Sequence, residues 1–344
     1  MAITKIQGII EKEQGIYYEV DEEATPLGEG GMGKVYAGVQ VNEKNGTRRD
    51  VAIKFLYDDL SENVIMHARR EASIHLHNDN LLEMFGFSEV HEQNTLGETV
   101  KHYHIASELL YGVSLEDFLE GKLKDSAGVD IPMVIELHSQ YKSNPESFAI
   151  RIIRSILSGL MALHDAGYIH RDITPANIML TGDGRIKIID FGIAKKVRDL
   201  ESSDRAVTVS GVFIGRPEYA APELVLGDIR HQDATTDIYA VGILLYQCIV
   251  GSVPFKGPHH EVLEMQLKKN LPLRNIKNSQ LRSIIAKATN KKQAKRFRSV
   301  AEFRAALDSI STELGPNPKP VPDTKIWIIA IITGIICGIL LGLL

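Results

Sequence analysis

Two scarcities narrow the field at once. The chain has only two cysteines and no dominant sign of charge. Cys248 and Cys337 sit in apolar runs of helical character, so no disulfide framework holds the fold and a reducing compartment is expected. Lysine and arginine number 39 against 44 acidic residues, and the resulting net charge of −5 gives no footing for nucleic acid. The opening stretch, MAITKIQGIIEKEQG, carries acidic side chains and lacks a long apolar core, which argues against a secretory signal. His75 with His77 and His102 with His104 alternate as if sharing strand faces, but no cysteine or carboxylate cluster completes a tetrahedral set, so no ligand role is assigned to them. What is left is ordinary globular composition, 44% hydrophobic and 24% charged over 344 residues, with room for a two-lobed domain.

The most informative stretch is Tyr168 to Asn177, YIHRDITPAN, which ends a helical segment and carries Asp172 and Asn177. Asp190-Phe191-Gly192 follows after RIKIID, Arg185 to Asp190, which alternates charged and β-branched residues as a half-buried strand does. Asn177 and Asp190 therefore fall on opposite sides of a tight hairpin. Oxygen donors with no sulfur nearby suit Mg²⁺, which takes few protein ligands and keeps positions for water and phosphate. Asp172 is left to accept a proton.

The run H-R-D-x-x-x-x-N followed by D-F-G resembles the signature of protein kinases, and the rest of the chain fits that family in order. Leu27 to Val39, LGEGGMGKVYAGV, has Gly28, Gly30 and Gly33 at the spacing of a phosphate-cradling hairpin, with Val35 on the next strand. Val51 to Lys54, VAIK, matches the third strand, and Glu71 in the helical HARREASIHLH matches its ion-pair partner. Ala221-Pro222-Glu223 matches the end of an activation segment that holds Ser202, Ser203, Thr208 and Ser210. Asp237 to Gly242 resembles the D-x-Y-x-x-G helix start whose aspartate caps the catalytic loop, and Arg296 matches the arginine that pairs with Glu223.

The resemblance implies an α+β, two-lobed kinase fold: a β-rich small lobe over residues 25–110 and a helical large lobe over 111–312, after an N-terminal flank, 1–24, in which GIYYEV makes an extra strand. It implies ATP bound beneath Leu27, Gly28, Glu29, Gly30, Gly31, Gly33 and Val35, against Ala52 and the backbone of a hinge from Glu108 to Leu110, behind a small gatekeeper, Ser107. Lys54, held by Glu71, takes the α- and β-phosphates. Asn177 and Asp190 hold Mg²⁺, with Mn²⁺ a substitute, and Asp172 takes the proton from a serine or threonine hydroxyl of a protein substrate. Arg171 implies ordering of the activation segment by phosphate, with Thr208 and Ser210 as the sites. Residues 120–146 read as a surface loop longer than the family needs. The helical ESFAIRIIRSILSGLMALHDAG, capped by Gly167, delivers the chain to the catalytic loop.

Two positions depart from the pattern. Kinases of serine and threonine usually carry lysine two residues after the catalytic aspartate and threonine in G-T-x-x-Y; here Thr174 and Arg216 stand there. A swap is expected, with Arg216 supplying the charge and Thr174 the hydroxyl. Tyrosine kinases also lack that lysine, but DITPANIML with DFGIAKK resembles bacterial serine/threonine kinases more closely.

Ile326 to Leu344, IWIIAIITGIICGILLGLL, has no charge and would span about 28 Å as a helix, roughly one hydrocarbon core. A proline-rich linker, 313–325, precedes it. The expectation is a single-pass C-terminal membrane anchor inserted after synthesis, with the kinase domain cytoplasmic and no sensor beyond the bilayer. Gly334, Gly338 and Gly342 recur every four residues and suit close helix pairing in a homodimer. The alternative is a membrane-tethered pseudokinase that binds nucleotide without transferring phosphate, against which the retained Lys54, Asp172 and Asp190 argue.

Overall fold

A computed structural model of the chain describes residues 3–93, 95–125, 128–190, 195–196 and 215–310. Phe191, Gly192, the four activation-segment hydroxyls and the apolar run 326–344 lie outside these residues.

The chain opens with β1 (Ile3–Ile6), α1 (Ile9–Gln14) and β2 (Ile16–Asp21), followed by the hairpin β3 (Gly28–Gly30) and β4 (Gly33–Asn42) and then β5 (Arg48–Leu56). After helix α2 (Glu62–Ala72) come β6 (Met84–Gln93) and β7 (Thr99–Glu108). The sheet runs β1-β2-β4-β5-β7-β6, every neighbour antiparallel, with β3 added on β4. GIYYEV is thus a strand, and β1 and β2 continue the small-lobe sheet, so its edge does not fall at residue 24.

The two faces of this sheet bury different cores. Ile6, Tyr18, Val20, Val51, Ile53 and Ala106 cluster on one side. On the other, Leu56, Ala68, Ala72, Ile105, Met84 and Leu81 join the core of the large lobe without a break. β5 reads VAI because Val51, Ala52 and Ile53 are all buried, which is why alternation fails there. β6 and β7 pair out to Gln93 and Thr99, which leaves only a short connection between them. Those outer residues are polar on both faces because both faces meet water, so hydropathy alone does not mark them as strand.

The large lobe begins with β8 (Gly112–Ser114) and α3 (Leu115–Glu120), which Ser114 caps by accepting from the Asp117 amide. The surface loop expected over 120–146 is corrected: α4 (Pro132–Ser143) forms 12 residues of it and buries Val134, Leu137 and Tyr141 at helical spacing. Its apolar residues also include Met133 and Ile135 on other faces, which blurs the period. Helix α5 (Pro145–Asp165) starts at Asn144, whose side chain accepts from the Ser147 amide, and buries a stripe from Phe148 to Leu163. It is long and apolar enough to cross a membrane, but that stripe is packed inside the large lobe. Phe118 stacks on Phe148 at 4.9 Å and joins α3 to α5.

Beyond it lie β9 (Tyr168–Ile169), β10 (Ile178–Thr181), β11 (Ile186–Ile188) and β12 (Lys195–Lys196). β10 pairs with both β8 and β11, and β12 pairs with β9. The lobe is completed by α6 (Pro222–Val225), α7 (Ala234–Val250), α8 (His259–Lys268), α9 (Ser279–Ala288) and α10 (Val300–Asp308). Arg296 reaches back from before α10 to Glu223 of α6 with a two-pronged pair at 2.7 and 2.9 Å. Thr236 also donates to Glu223, and Arg296 donates to the Thr235 carbonyl, which fixes the start of α7.

Candidate active site

The loop between β9 and β10 takes its shape from one buried carboxylate. Asp237, in the first turn of α7 and 0% exposed, accepts the amides of His170 at 2.9 Å and Arg171 at 2.7 Å and the His164 Nε2 at 2.7 Å. Burial alone would raise its pKa; the His164 hydrogen bond and the charges of His164 and His170 outweigh it and hold the group below the ordinary value. Arg171 has φ of 70°, in the left-handed region that non-glycine residues rarely occupy, and Asp237 holds the two amides that this turn presents.

The turn delivers Asp172 to Asn177. The Asn177 Nδ2 donates to the Asp172 backbone oxygen at 2.9 Å and to Oδ2 at 2.8 Å. Burial pushes the Asp172 carboxyl above the ordinary aspartate value, against the opposing pull of His170, the Asn177 hydrogen bond and Arg216. Pairing of β10 with β11 sets Ile178 opposite Ile188, and the Ile189 amide donates to the Asn177 carbonyl at 3.0 Å. Asn177 and Asp190 therefore flank one hairpin, as the sequence indicates.

The glycine hairpin shows two kinds of glycine. A Cβ at Gly33, where φ is 154°, would stand 1.9 Å from the Phe55 carbonyl oxygen, so packing alone demands glycine there. At Gly28, Gly30 and Gly31 a Cβ would meet nothing within 4 Å. Among the described residues nothing asks for their missing side chains, and a bare backbone of this kind leaves room for close approach of a phosphate chain. Leu27 donates to the Val35 carbonyl at 2.7 Å, Glu29 accepts from Tyr57 at 2.6 Å, and Val35 faces Lys54 in register.

Ala52 lies opposite Ser107, and Val51 opposite Glu108, where β7 ends. Ser107 is buried beside Met84. Among the described residues the Leu110 amide has no acceptor. Glycines without packing, a Leu110 amide with no acceptor among the described residues and an asparagine whose amino group is committed to Asp172, leaving its oxygen, suit a nucleotide with a divalent cation.

Other expected pairings differ. Glu71 is 5% exposed on α2 and Lys54 lies on β5, but among the described residues no ion pair within 4.0 Å joins them. Arg216 and Asp172 line one small cavity with Tyr219, yet the guanidinium is paired with Glu116 of α3, one contact being 3.0 Å. Thr174 is 1% exposed and no hydrogen bond joins it to Arg216. His102 binds Asp58 at 3.0 Å, and burial lowers His104 to about 4.

Sequence reasoning missed the supports. Gln266 of α8 donates to the carbonyls of Pro217 and Glu218 and accepts from Tyr239, which also accepts from Lys291 at 2.6 Å, so the segment after Arg216 is fixed from α7 and α8. A lone glutamine on an amphipathic helix carries no local signal of this. Lys187, in the middle of β11, is similarly silent in sequence.

A β-sheet lobe with a glycine hairpin, joined through one strand end to a helical lobe that presents Asp172 and Asn177, is the architecture of a two-lobed kinase-like domain. The model of the protein kinase domain family matches residues 22–306, and the chain belongs to that family. It is similar to serine/threonine-protein kinase pkn2 of Myxococcus xanthus, 32% identical over 84% of this chain and 32% of the relative. It is also similar to a probable serine/threonine-protein kinase PknB of Corynebacterium glutamicum, 30% identical over 86% of this chain and 42% of the relative. PknB of Mycobacterium leprae is 29% identical over 86% and 44% of the two chains. The chain thus spans less than half the length of these curated relatives.

The two kinds of glycine separate folding from binding. Gly30→Ala is expected to change stability by no more than about 0.5 kcal/mol while weakening Mg-ADP binding. Gly33→Ala is expected to lose about 2–4 kcal/mol of stability by denaturant titration, from strain and the Phe55 clash. Equal stability losses in the two variants would contradict this division.

Proposed function

We propose that the chain is a serine/threonine protein kinase that transfers the γ-phosphoryl group of ATP to protein hydroxyls. The observation that carries this reading is the Asp237-held turn that presents Asp172 with Asn177, in a chain whose small lobe carries an open glycine hairpin. The relatives' printed names support the choice of serine and threonine.

In this mechanism the amides of the glycine hairpin approach the phosphates, and the Glu108–Leu110 backbone and Ala52 take the adenine. Lys54 turns to the α- and β-phosphates, and its ion pair with Glu71 closes on nucleotide binding. Asn177 and Asp190 would hold Mg²⁺ or Mn²⁺, which when bound neutralises charge on the phosphates. Asp172 orients the substrate hydroxyl and takes its proton as the new oxygen–phosphorus bond forms and the bond to ADP breaks. Arg216 supplies positive charge beside Asp172, in place of the lysine absent at Thr174. Phosphate on Thr208 or Ser210 is the activating modification.

The run 326–344 is read as a membrane anchor on its composition, with the kinase domain in the cytoplasm and Gly334, Gly338 and Gly342 as a helix-pairing face. Pairing would raise the effective concentration for phosphorylation between copies. The separation of Lys54 from Glu71 favours, as second reading, a nucleotide-binding scaffold without transfer.

Incubation of the chain with Mg-ATP and a protein acceptor separates the two. The kinase reading expects phosphoserine or phosphothreonine by mass spectrometry, lost in Asp172→Asn. Bound Mg-ADP with no incorporation by either protein would favour the scaffold.

Proton transfer to Asp172 also sets a pH dependence. The deprotonated carboxylate is the active form, so kcat/KM falls as pH drops through its pKa, which burial places above the ordinary 3.8. Arg216 favours the carboxylate, so Arg216→Ala should move that acid limb to higher pH. A limb that stays in place would remove Arg216 from the account.

A further inference from the structure

Lys187 is 3% exposed, in the middle of a buried strand where an apolar residue would pack without desolvating an ammonium. Its Nζ donates to the Leu81 carbonyl at 2.9 Å and to Glu108 Oε1 at 2.5 Å. The same Oε1 accepts the Glu83 amide at 2.9 Å, and the Glu108 amide returns a bond to the Glu83 carbonyl at 2.9 Å. Around it, Leu82 donates to Ile188, and Ile188 donates to Asn80, each at 2.9 Å. Segment 80–83, strand β11 and Glu108 are thereby one hydrogen-bonded unit.

Past Glu108 the chain leaves the sheet. Among the described residues the amides of Leu109, Leu110 and Tyr111 have no backbone acceptor, so this stretch is held at its two ends, by Glu108 on the sheet side and on the other by the Tyr111 carbonyl, which accepts the Gly182 amide at 2.8 Å. β11 leads directly towards Asp190. We propose that Lys187 is a positioning residue for the nucleotide: through Glu108 it fixes the hinge backbone in the same frame as the strand that leads to Asp190. The proposal rests on the kinase reading above and assigns to it a residue that touches neither nucleotide nor metal.

The test compares the full chain with Lys187→Met, Lys187→Arg and Glu108→Gln, reading Mg-ADP affinity by calorimetry, KM for ATP, kcat and thermal stability. Lys187→Met is expected to raise the Mg-ADP Kd and the KM for ATP on the order of tenfold, through misplacement of the hinge, with kcat at saturating ATP little changed. Lys187→Arg, which keeps the charge, should recover most of the affinity. Combining Lys187→Met with Glu108→Gln should be no worse than Lys187→Met alone, since both act through one pair. A folded Lys187→Met with wild-type Mg-ADP affinity, or one that loses only kcat, overturns the proposal. Should Lys187→Met fail to fold, Glu108→Gln decides: weakened Mg-ADP binding supports the proposal and unchanged binding overturns it. Absence of Mg-ADP binding by the unmutated chain would instead strike the kinase reading itself.

Discussion

Asp237 is the constraint on which the site depends. A carboxylate with no exposure and three hydrogen-bond donors is stable only if all three donors are in place, and two of them are backbone amides of the catalytic loop. The loop therefore cannot relax from the left-handed conformation at Arg171 without stranding a buried charge. The position of Asp237 is in turn fixed by the start of α7. Asp233 forms a reciprocal cap there, and Thr236 donates to Glu223, which Arg296 also grips. Removing one partner of such a buried pair costs about 3–5 kcal/mol, which is why a residue near 296 bears on the geometry at 172.

The two lobes meet through a similar polar unit rather than through packing alone. The apolar core is continuous from α2 past Leu81 and Met84 into the helices, but an apolar contact has no direction. Direction comes from the bonds of segment 80–83 to β11 and to Glu108. The hairpin glycines and Lys54 belong to the small-lobe sheet on one side of this unit, and Asn177 and Asp190 flank the paired strands β10 and β11 on the other. Arg216 is tied instead to Glu116 of α3, with both side chains about two-fifths exposed, so the pair is weakened by solvent.

Much of this was legible in the residue order because kinase motifs are short and local. The hairpin around Asn177 and Asp190 follows from β-branched alternation in RIKIID, the Asp237 cap from D-x-Y-x-x-G, and the Arg296–Glu223 pair from their matched positions. What stayed hidden depends on residues distant in sequence. Gln266 and Lys187 look like ordinary polar residues until the fold brings carbonyls to them. Helix α4 reads as loop because apolar residues on several of its faces hide the period, and β1 carries no strand signal because its outer side is exposed, with Ile3 65% exposed. The glycines show a subtler limit: Gly30 and Gly33 belong to one motif, but only the structure separates the one required by packing from the one left open.

The most direct test of the central claim is the kcat of Asp237→Asn, measured beside its Mg-ADP affinity. Asparagine keeps one acceptor oxygen but turns an amino group towards a donor, so the turn at Arg171 should loosen while the glycine hairpin and hinge stay intact. The account predicts a fall in kcat on the order of a hundredfold, from misplacement of Asp172, with Mg-ADP affinity nearly unchanged. A folded Asp237→Asn protein that transfers phosphate at the unmutated rate would contradict the claim that this carboxylate positions the loop.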